Sequence, residues 1–317
     1  MNFPVFDLHC DTALALLGKS MQEAGSLREN EYHIDLNRAR KLDGYAQCFA
    51  CFTTPFMEEW GSVPVSEVFE REMVSVLREV EKNKDMISLA YTAGDVVDNL
   101  ANGKMSAILT VEGPAGFGFD AALLQDLYAV GFRMTTLGWN EQNVLAGSHK
   151  TGGGLTDHGR DFVKEAQSLG FIIDVSHISD DAFWDIMEIS EKPIIASHSN
   201  SRAVHNVGRN LTDDMFKAIC EVGGVVGFNQ YADFIGDDCD MDNSCDHILH
   251  WLALDPEGDH IALGGDLDGC DVLAKGFEGV QSYSAFAQKL LERGLDEKTV
   301  RKIFWDNALG VMAKCCT

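Results

Sequence analysis

A histidine and an aspartate two residues apart, His9 and Asp11, follow a mostly apolar stretch at residues 4–8 of the chain. In an extended strand, side chains two residues apart point to the same face. An imidazole and a carboxylate on one face at the end of a strand can form half of a site for a hard or borderline metal ion. Such a pair is weak evidence alone, because most His-x-Asp pairs arise by chance or are hydrogen-bonded pairs. Its meaning depends on the other ligand-type residues of the chain.

Four later apolar runs end in a residue of the same kind: Glu112, His177, His198 and Asp266. With the first pair they make three histidines and three carboxylates, whereas a catalytic zinc ion uses about three protein ligands plus water. Six ligands suit two metal ions about 3.5–4 Å apart, bridged by a carboxylate and a hydroxide. The sequence therefore predicts a binuclear metal centre that lowers the pKa of a bridging water. Zinc, manganese or cobalt could occupy this ligand set.

Eight short β-rich runs alternate with amphipathic helical stretches. The predicted strands are Val5–Asp11, Tyr45–Phe52, Met105–Val111, Phe132–Leu137, Phe171–Ser176, Pro193–Ser197, Gly224–Phe228 and His260–Gly265. The predicted helices are Val65–Asn83, Ala121–Val130, Asp157–Leu169, Asp180–Ile189, Thr212–Glu221, Asp246–Leu254 and Tyr283–Arg293, with a closing helix pair over Asp296–Lys314. The alternation predicts a parallel sheet, and eight strands predict a closed (β/α)8 barrel of the TIM type. All six candidate ligands then lie at carboxyl strand ends, where barrel active sites are found.

We expect one hydrolase domain over residues 1–317, with loop elaborations at the carboxyl face of the barrel. The stretches Gly18–Asp43, after the first predicted strand, and Ala232–His247, after the seventh, are predicted to be these loops. Loops at this face of a barrel are where binding sites are built.

Composition narrows the class of partner and the compartment. A chain of 317 residues with 45% hydrophobic and 24% charged residues can bury a sizeable core. Its formal charge of −25 argues against nucleic acid or an anionic membrane surface as the main partner. The sequence has no apolar run near the roughly 20 residues of a membrane span and no signal-type segment at its start. Because nine cysteines without secretory spacing favour reduced thiols, we expect a cytoplasmic protein.

Five segments resemble the renal, or membrane, dipeptidase family, whose members are zinc enzymes of the amidohydrolase-like barrel group. These segments are Asp7-Leu8-His9-Cys10-Asp11, Thr110-Val111-Glu112-Gly113, Asp174-Val175-Ser176-His177, Ala196-Ser197-His198-Ser199 and Gly264-Gly265-Asp266-Leu267-Asp268-Gly269. The similarity runs in order through almost the whole chain. The resemblance divides the six candidate ligands between two zinc ions: one ion takes His9, Asp11 and Asp266, the other takes His177 and His198, and Glu112 bridges them.

The resemblance implies a metallo-dipeptidase that hydrolyses the amide bond of a small dipeptide by attack of a metal-bridging hydroxide. Glu112 and Asp266 would be the catalytic residues. Asp266 would accept the proton of the nucleophile and pass it to the leaving amine, or act as a ligand only. Asp174 and Asp268 are candidates for carboxylates that orient the ligands, and a strand-end hydrogen-bond partner is an equal alternative for Asp174. The family accepts a D-residue at the C-terminal position of the substrate and suggests a homodimer.

Four residues are expected to contact the substrate: Arg209, Tyr231, Trp139 and Asn140. Arg209 matches the family's arginine for the substrate carboxylate, a role that suits a guanidinium fork. Its alternative role is a helix-capping or surface ion-pair arginine. Tyr231, which follows the seventh predicted strand, lines the same pocket or packs within its loop.

One position departs from the family pattern. Trp139 stands where the renal-type enzymes have a histidine that approaches the tetrahedral intermediate. Its indole N–H remains a donor, but an indole cannot carry the charge of an imidazole. Asn140 or Asn143 could donate a hydrogen bond there instead, whereas His149 is expected to be an ordinary loop residue. The remaining histidines are expected to be structural or surface residues: His33, His158, His205, His247, His250 and His260.

Two other functions fit the same residues less well. Many other amide or ester hydrolases on this barrel, such as cyclic-amide hydrolases and deaminases, carry a metal-bridging carbamylated lysine at the end of strand four. Here that predicted strand leads into Leu137-Gly138-Trp139, without a lysine. A catalytically silent, metal-stabilised ligand-binding protein is supported only by Trp139, since all six ligand types are present. The dipeptidase hypothesis is therefore preferred.

Overall fold

A computed structural model describes residues 3–18, 25–57 and 63–316, and nine parallel strands run through them. The strands are β1 Val5–Cys10, β2 Tyr45–Phe52, β3 Ile87–Leu89, β4 Met105–Glu112, β5 Phe132–Thr136, β6 Ile172–Asp174, β7 Ile194–Ala196, β8 Val225–Phe228 and β9 Ile261–Leu263. Their order in the sheet is β2-β1-β9-β8-β7-β6-β5-β4-β3, and the pairing of β2 with β4 closes a ring of eight. The predicted (β/α)8 barrel is confirmed.

The strand β3, which the sequence prediction missed, lies outside the ring. It pairs with residues 105–107 at the start of β4, while β5 pairs with residues 109–111 near its end. Because β2 pairs with β4 along one edge from residue 106 to 112, β3 and β5 divide the other edge. Ser88 and Leu89 of this strand are only half-buried, so it lacks the continuous apolar character of the fully buried ring strands.

The helices alternate with the strands around the outside of the ring. In the described residues they are α1 Thr12–Leu17, α2 Leu36–Ala39, α3 Val65–Lys82, α4 Ala93–Ala101, α5 Leu124–Val130, α6 Asp157–Leu169, α7 Asp180–Ile189, α8 Asp213–Glu221, α9 Ala232–Ile235, α10 Met241–Leu254, α11 Tyr283–Glu292, α12 Glu297–Arg301 and α13 Asn307–Cys315. The short 3-10 helices are Pro114–Phe117, Ala121–Leu123 and Val280–Ser282, and a π-helical segment, Lys302–Asp306, joins α12 to α13. In this part of the chain, no helix has the length and apolar character that a membrane crossing requires.

The predicted loop elaboration over Ala232–His247, between strands β8 and β9, contains helical structure. The stretch 232–247 contains α9 and the first half of α10. Helix α10 begins at Met241, five residues before its predicted start. Its start is fixed by Asp240, whose side chain accepts hydrogen bonds from the backbone N–H groups of Asp242 and Asn243. Such a cap acts on the backbone, so the apolar periodicity that guided the prediction does not reveal it.

The predicted loop after β1 lies partly outside the described residues, which omit 19–24. Its described part, from residue 25 to residue 43, contains α2 and packs against the barrel. Leu27, Ile34 and Leu36 are fully buried. The backbone N–H of Leu27 donates to Oε2 of Glu79 on α3, at 2.9 Å. This loop is therefore a packed part of the fold.

The barrel interior is filled by an apolar layer to which every strand of the ring contributes. Its strand residues are Phe6, Leu8, Ala46, Cys48, Ile108, Met134, Ile172, Ile195, Val225 and Ala262. The C-terminal helical run packs on this layer through residues that include Trp305 and Met312. Nζ of Lys314 donates to the carbonyl of Gly223, two residues before the start of β8, at 3.0 Å. The run therefore closes the amino end of the barrel, and the six candidate ligands lie at the opposite end.

His247, expected from the sequence to be structural, provides a test of the packing around α10. It is fully buried, accepts from the N–H of Ser201 and donates to the carbonyl of Ile235. Burial lowers its pKa to about 4, so the folded protein holds the ring neutral where the unfolded chain would protonate it. The resulting stability is fully present above pH 6.5 and lost as pH falls towards 4. This loss should amount to about 3 kcal/mol.

We expect His247→Gln to lower the free energy of unfolding at pH 7 and to make it less sensitive to acid between pH 6.5 and 4. Urea titrations at several pH values measure both effects. His158→Gln, at an exposed position, serves as the control. An unchanged acid slope in His247→Gln would contradict the assignment.

Candidate metal centre

The six ligands predicted from the sequence all lie at carboxyl ends of strands, and the structure brings them together. They are His9 within β1 and Asp11 directly after it, Glu112 at the end of β4, His177 after β6, His198 after β7 and Asp266 after β9. Every one of these side chains belongs to a buried residue. They meet because parallel strands of a closed barrel all end at one face.

His9 and the carboxylates around it form the first group of ligand atoms. Its Nε2 lies 3.4 Å from Oδ2 of Asp11 and 3.9 Å from Oδ1 of Asp266. The same nitrogen lies 3.2 Å from Oε2 of Glu112. One imidazole nitrogen therefore faces three carboxylates.

Two histidines form the second group, on the other side of Glu112. Nε2 of His177 lies 2.9 Å from Oε1 of Glu112, and Nε2 of His198 lies 3.7 Å from that oxygen. The two Nε2 atoms are 2.9 Å apart. The two oxygens of Glu112 thus face different groups of ligands, which is the disposition required of a carboxylate that bridges two metal ions.

Two of the candidate ligands have a left-handed backbone. The angle φ is 72° at His177 and 57° at Asp266. A residue other than glycine in this region costs about 1–3 kcal/mol, and such residues cluster at functional sites. Space is also restricted, since a Cβ atom at Gly269 would overlap Oδ2 of Asp11 and Oδ1 of Asp266. The backbone at this face is therefore shaped around the carboxylates.

The donor set fits divalent metal ions. Nε2 of His9 and Oδ1 of Asp11 are buried and have no hydrogen-bond partner within the described ranges. An unpartnered buried polar atom is costly, and three carboxylates in one buried cluster also repel one another. Two divalent cations would supply partners for these atoms and balance the negative charge. Nitrogen and carboxylate oxygen are both ligands that zinc accepts.

The pKa values reflect this crowding. Burial raises the pKa of Glu112 to about 8, although the neighbouring His9 works against the shift. Burial also raises the pKa of Asp266. It lowers the pKa values of His177 and His198 well below the usual range, so both rings are neutral and offer a lone pair at neutral pH. Burial would lower the pKa of His9 too, but the carboxylates around it raise it well above its usual value.

Each histidine of the second group has a hydrogen-bond partner on Nδ1. The partner of His177 is Oδ1 of Asn140, at 3.0 Å, and that of His198 is Oγ of Ser197, at 2.6 Å. The hydroxyl of Ser197 in turn donates to Asp174. With Nδ1 as the donor, Nε2 of each ring keeps its lone pair towards the centre. Asp174 therefore supports a ligand, as the sequence predicts.

His149 lies behind His177 and is not an isolated loop residue. Its Nε2 is 2.7 Å from Oδ1 of Asn140, and its ring lies edge-on to that of His177, with 6.1 Å between the centroids. Burial lowers the pKa of His149 to about 4, so the ring is neutral. The amide oxygen of Asn140 thus accepts from two neutral imidazoles.

Asp268 connects two loops at the edge of the centre. Its carboxylate accepts from Oγ1 of Thr12 and from the backbone N–H of His33, both at 2.6 Å. Its own N–H donates to Nδ1 of His33, at 2.9 Å. Asp268 therefore links the segment after Asp266, to which it belongs, to the segment that begins directly after Asp11.

A cavity of about 380 Å³ opens onto the centre. Its lining is Asp11, Leu14, Phe52, Glu112, Trp139, His177, Tyr231, Asp266, Asp268, Gly269 and Asp271. Four of the six candidate ligands face this space, so a small molecule in the cavity reaches them directly.

Two of the four residues predicted to bind substrate line the cavity. Trp139 packs edge-on against Phe52, with 5.1 Å between the ring centroids. Tyr231 lines it too, and its hydroxyl donates to Asp233 at 3.0 Å. Asn140 is outside the lining and contacts His177 instead.

Arg209 is buried beside the centre and is also outside the cavity lining. Its Nη1 donates to Oγ of Ser199 at 2.6 Å, and its Nη2 donates to the carbonyl of His198 at 2.9 Å. Its Nε has no partner in the described part of the chain. The guanidinium is thus fixed next to a candidate ligand through its two terminal nitrogens.

The sequence reasoning missed several residues at this site. Nδ2 of Asn229 donates to Oδ2 of Asp266 at 3.0 Å. Asn229 directly follows β8, so the strand-end rule that found the ligands could have found it as well. Phe52 and Leu14 form part of the cavity wall, but nothing in their types distinguishes them from core residues.

The whole chain matches a known protein family. Residues 1–316 match the family model described as membrane dipeptidase, peptidase family M19. An uncharacterised dipeptidase of Schizosaccharomyces pombe is 30% identical over 98% of this chain and 80% of its own length. A second uncharacterised dipeptidase of that yeast is 32% identical over 82% of this chain and 67% of its own length.

Solved structures agree with this match. A Rhodobacter sphaeroides metallo peptidase, liganded with a phosphinate mimic of the dipeptide L-Ala-D-Ala, superimposes with a TM-score of 0.88 at 26% identity, over 99% of this chain and 100% of that one. A structure described as the dipeptidase AC, a metallo peptidase, gives a TM-score of 0.88 at 27% identity, over 100% and 99% of the two chains. The chain belongs to the membrane dipeptidase family of metallopeptidases.

Proposed function

We propose that the chain hydrolyses the amide bond of small dipeptides at a centre of two divalent metal ions, with zinc as the first candidate and manganese or cobalt as substitutes. The observation that carries the proposal is the position of Glu112, whose two oxygens face two separate groups of buried ligands. The dipeptide mimic in the Rhodobacter sphaeroides metallo peptidase supports a small dipeptide as the substrate. It also supports tolerance of a D-residue at the C-terminal position.

We assign the ligands to two ions as follows: His9, Asp11 and Asp266 hold one, His177 and His198 hold the other, and Glu112 is shared. When bound, two such ions lower the pKa of water and polarise a carbonyl oxygen. The chain contributes a fixed set of donors in a buried site, where charges act more strongly than in water.

Asp266 is proposed to move the proton. Asn229 donates to its Oδ2, which leaves Oδ1 on the side of His9. The residue also lines the cavity. A carboxylate in this position can accept a proton from water and then donate it to the leaving amine.

Arg209, Trp139 and Tyr231 are proposed to bind the substrate. Arg209 is proposed for the C-terminal carboxylate because Ser199 and the carbonyl of His198 hold its guanidinium in place beside a candidate ligand. Trp139 and Tyr231 form walls of the cavity. Asn140 is proposed to act on the substrate indirectly, through the His177 ring, because its side chain contacts Nδ1 of that ring.

We further propose a reducing, cytoplasmic compartment and a homodimer. All nine cysteines are free thiols, and most of them are buried. Buried reduced thiols are typical of proteins in a reducing compartment. The homodimer rests on the family resemblance, and sedimentation of the purified chain tests it.

The metal content and the activity are tested together. We expect the metal-free chain to bind two zinc ions and the loaded chain to hydrolyse members of a panel of L-L and L-D dipeptides. Glu112→Gln removes the charge shared by both groups. It should lower the metal content and reduce kcat/KM by about 1000-fold, equivalent to about 4 kcal/mol. Elemental analysis and steady-state kinetics give the two quantities.

Glu165→Gln, at an exposed position on α6, is the matched control for the loss of one glutamate charge. One bound ion, or none, in the unaltered chain would overturn the binuclear centre. A loaded chain that turns over no dipeptide would overturn the proposed substrate class.

Arg209→Lys keeps a positive charge but loses the planar fork. If Arg209 binds the substrate carboxylate, kcat/KM for a free dipeptide should fall about 10- to 100-fold, the range for a hydrogen bond to a charged group. The ratio of kcat/KM for the free dipeptide to kcat/KM for its C-terminal amide should fall as well. Arg202→Lys is the control, because that guanidinium is held by Asp180. Equal discrimination by wild type and Arg209→Lys would refute the role.

Trp139→Ala removes part of the apolar wall formed with Phe52. Because burial of a large apolar side chain contributes about 1.5–3 kcal/mol, kcat/KM should fall about 10-fold more for dipeptides with Leu or Phe than for those with Gly or Ala. Trp139→Phe keeps a ring and loses the N–H, so it should retain the preference. Equal losses in both variants on every substrate would instead assign the role to the indole N–H.

A further inference from the structure

Two buried aspartates make the same pattern of contacts at two places in the barrel. Asp7 lies in β1 and Asp174 at the end of β6, and both are essentially inaccessible to solvent. In each, the single oxygen Oδ1 accepts two backbone N–H bonds. One donor is two residues further along the chain, and the other belongs to the segment that follows the neighbouring strand. Neither aspartate lines the cavity.

Asp7 joins the ends of β1 and β9. Its Oδ1 accepts from the N–H of His9 and from the N–H of Gly265, both at 3.0 Å. The hydroxyl of Tyr283 donates to its other oxygen. Since β1 and β9 are paired strands, one carboxylate fixes their carboxyl ends relative to each other.

Asp174 joins the ends of β6 and β7 in the same way. Its Oδ1 accepts from the N–H of Ser176 and from the N–H of Ser197, both at 2.9 Å. The hydroxyl of Ser197 donates to its other oxygen. The strands β6 and β7 are also paired.

The amides held by these carboxylates belong to the ligand-bearing turns. Gly265 directly precedes Asp266, and Ser176 directly precedes His177. Those are the two candidate ligands with a left-handed backbone. Such a conformation persists only where its surroundings fix it. The other two amides belong to His9 and to Ser197, directly before His198, so every held amide lies at a ligand or next to one.

We propose that Asp7 and Asp174 are positioning residues, each for one half of the metal centre. Asp7 fixes the backbone that carries His9 and Asp266, and Asp174 fixes the backbone that carries His177 and His198. Hydrogen bonds from N–H groups to a carboxylate are stronger than those to a neutral oxygen, which suits this task. The inference rests on the proposed function, because it assigns one aspartate to each of two metal ions.

The test is the selectivity of two isosteric variants. Asp7→Asn and Asp174→Asn keep the volume and lose the charge that strengthens both N–H bonds. Each should weaken the binding of one Co²⁺ ion about 10- to 100-fold, the effect usual for a residue that orients a metal ligand. The other ion should stay within about 2-fold, the scatter expected of independent sites. Calorimetric titration of the metal-free protein gives both affinities.

Double variants assign each effect to its half of the centre. When His198→Ala is also present, Asp7→Asn should still weaken metal binding. When Asp266→Ala is also present, Asp7→Asn should cause no further weakening. The loss caused by Asp174→Asn should show the reverse pattern. Asp35→Asn is the matched control, because Asp35 is a buried carboxylate that accepts a backbone N–H at the start of α2, away from the centre. It should change neither affinity.

Amide hydrogen exchange in the metal-free wild-type protein tests the inference without any variant. The N–H groups of His9, Gly265, Ser176 and Ser197 should be protected from exchange before metal is added. Equal weakening of both ions by each aspartate variant, or amides protected only after metal is added, would overturn the assignment. Fewer than two ions on the wild-type chain would overturn the proposed function and the assignment with it, whereas two ions with unselective variants would overturn the assignment alone.

Discussion

The structure depends on keeping three carboxylates and three imidazoles together in a buried space. Glu112 is the centre of this constraint, because its two oxygens belong to different groups of ligands. The mutual repulsion of the carboxylates raises their free energy, and burial removes the water that would screen them. The fold must therefore hold the backbone of each ligand residue in place, because the side chains alone would move apart.

The barrel meets this requirement at the level of the main chain. Ligands follow strands that are already held by parallel pairing, and the turns after β6 and β9 adopt left-handed conformations that aim His177 and Asp266 inwards. Hydrogen bonds from Asn140 and Ser197 then set the orientation of the two neutral rings. These protein contacts order the ligand face, as a preorganised site requires. The cavity opens onto this face.

Sequence patterns predicted features that recur along the chain and missed features that occur at one place only. The eight-strand barrel and the meeting of six ligand-type residues at one face could be predicted because strand alternation and residues at strand ends recur along the chain. The strand β3 and the start of α10 could not, since one is only partly buried and the other depends on the side-chain cap of Asp240. Nor could the contacts of Arg209 with Ser199 and with the carbonyl of His198, which hold its guanidinium in place. The position of such a side chain depends on contacts between segments far apart in the chain. A single sequence does not show which segments meet.

The closure of the amino end by the C-terminal helical run has a consequence for how the protein is made. Synthesis delivers all eight strands of the ring before it delivers residues 297–315, so the apolar layer inside the ring lacks its cover until that run docks. A chain without this run would leave the apolar layer uncovered at the end of the barrel opposite the candidate ligands. Docking of residues 297–315 is therefore required to bury that layer.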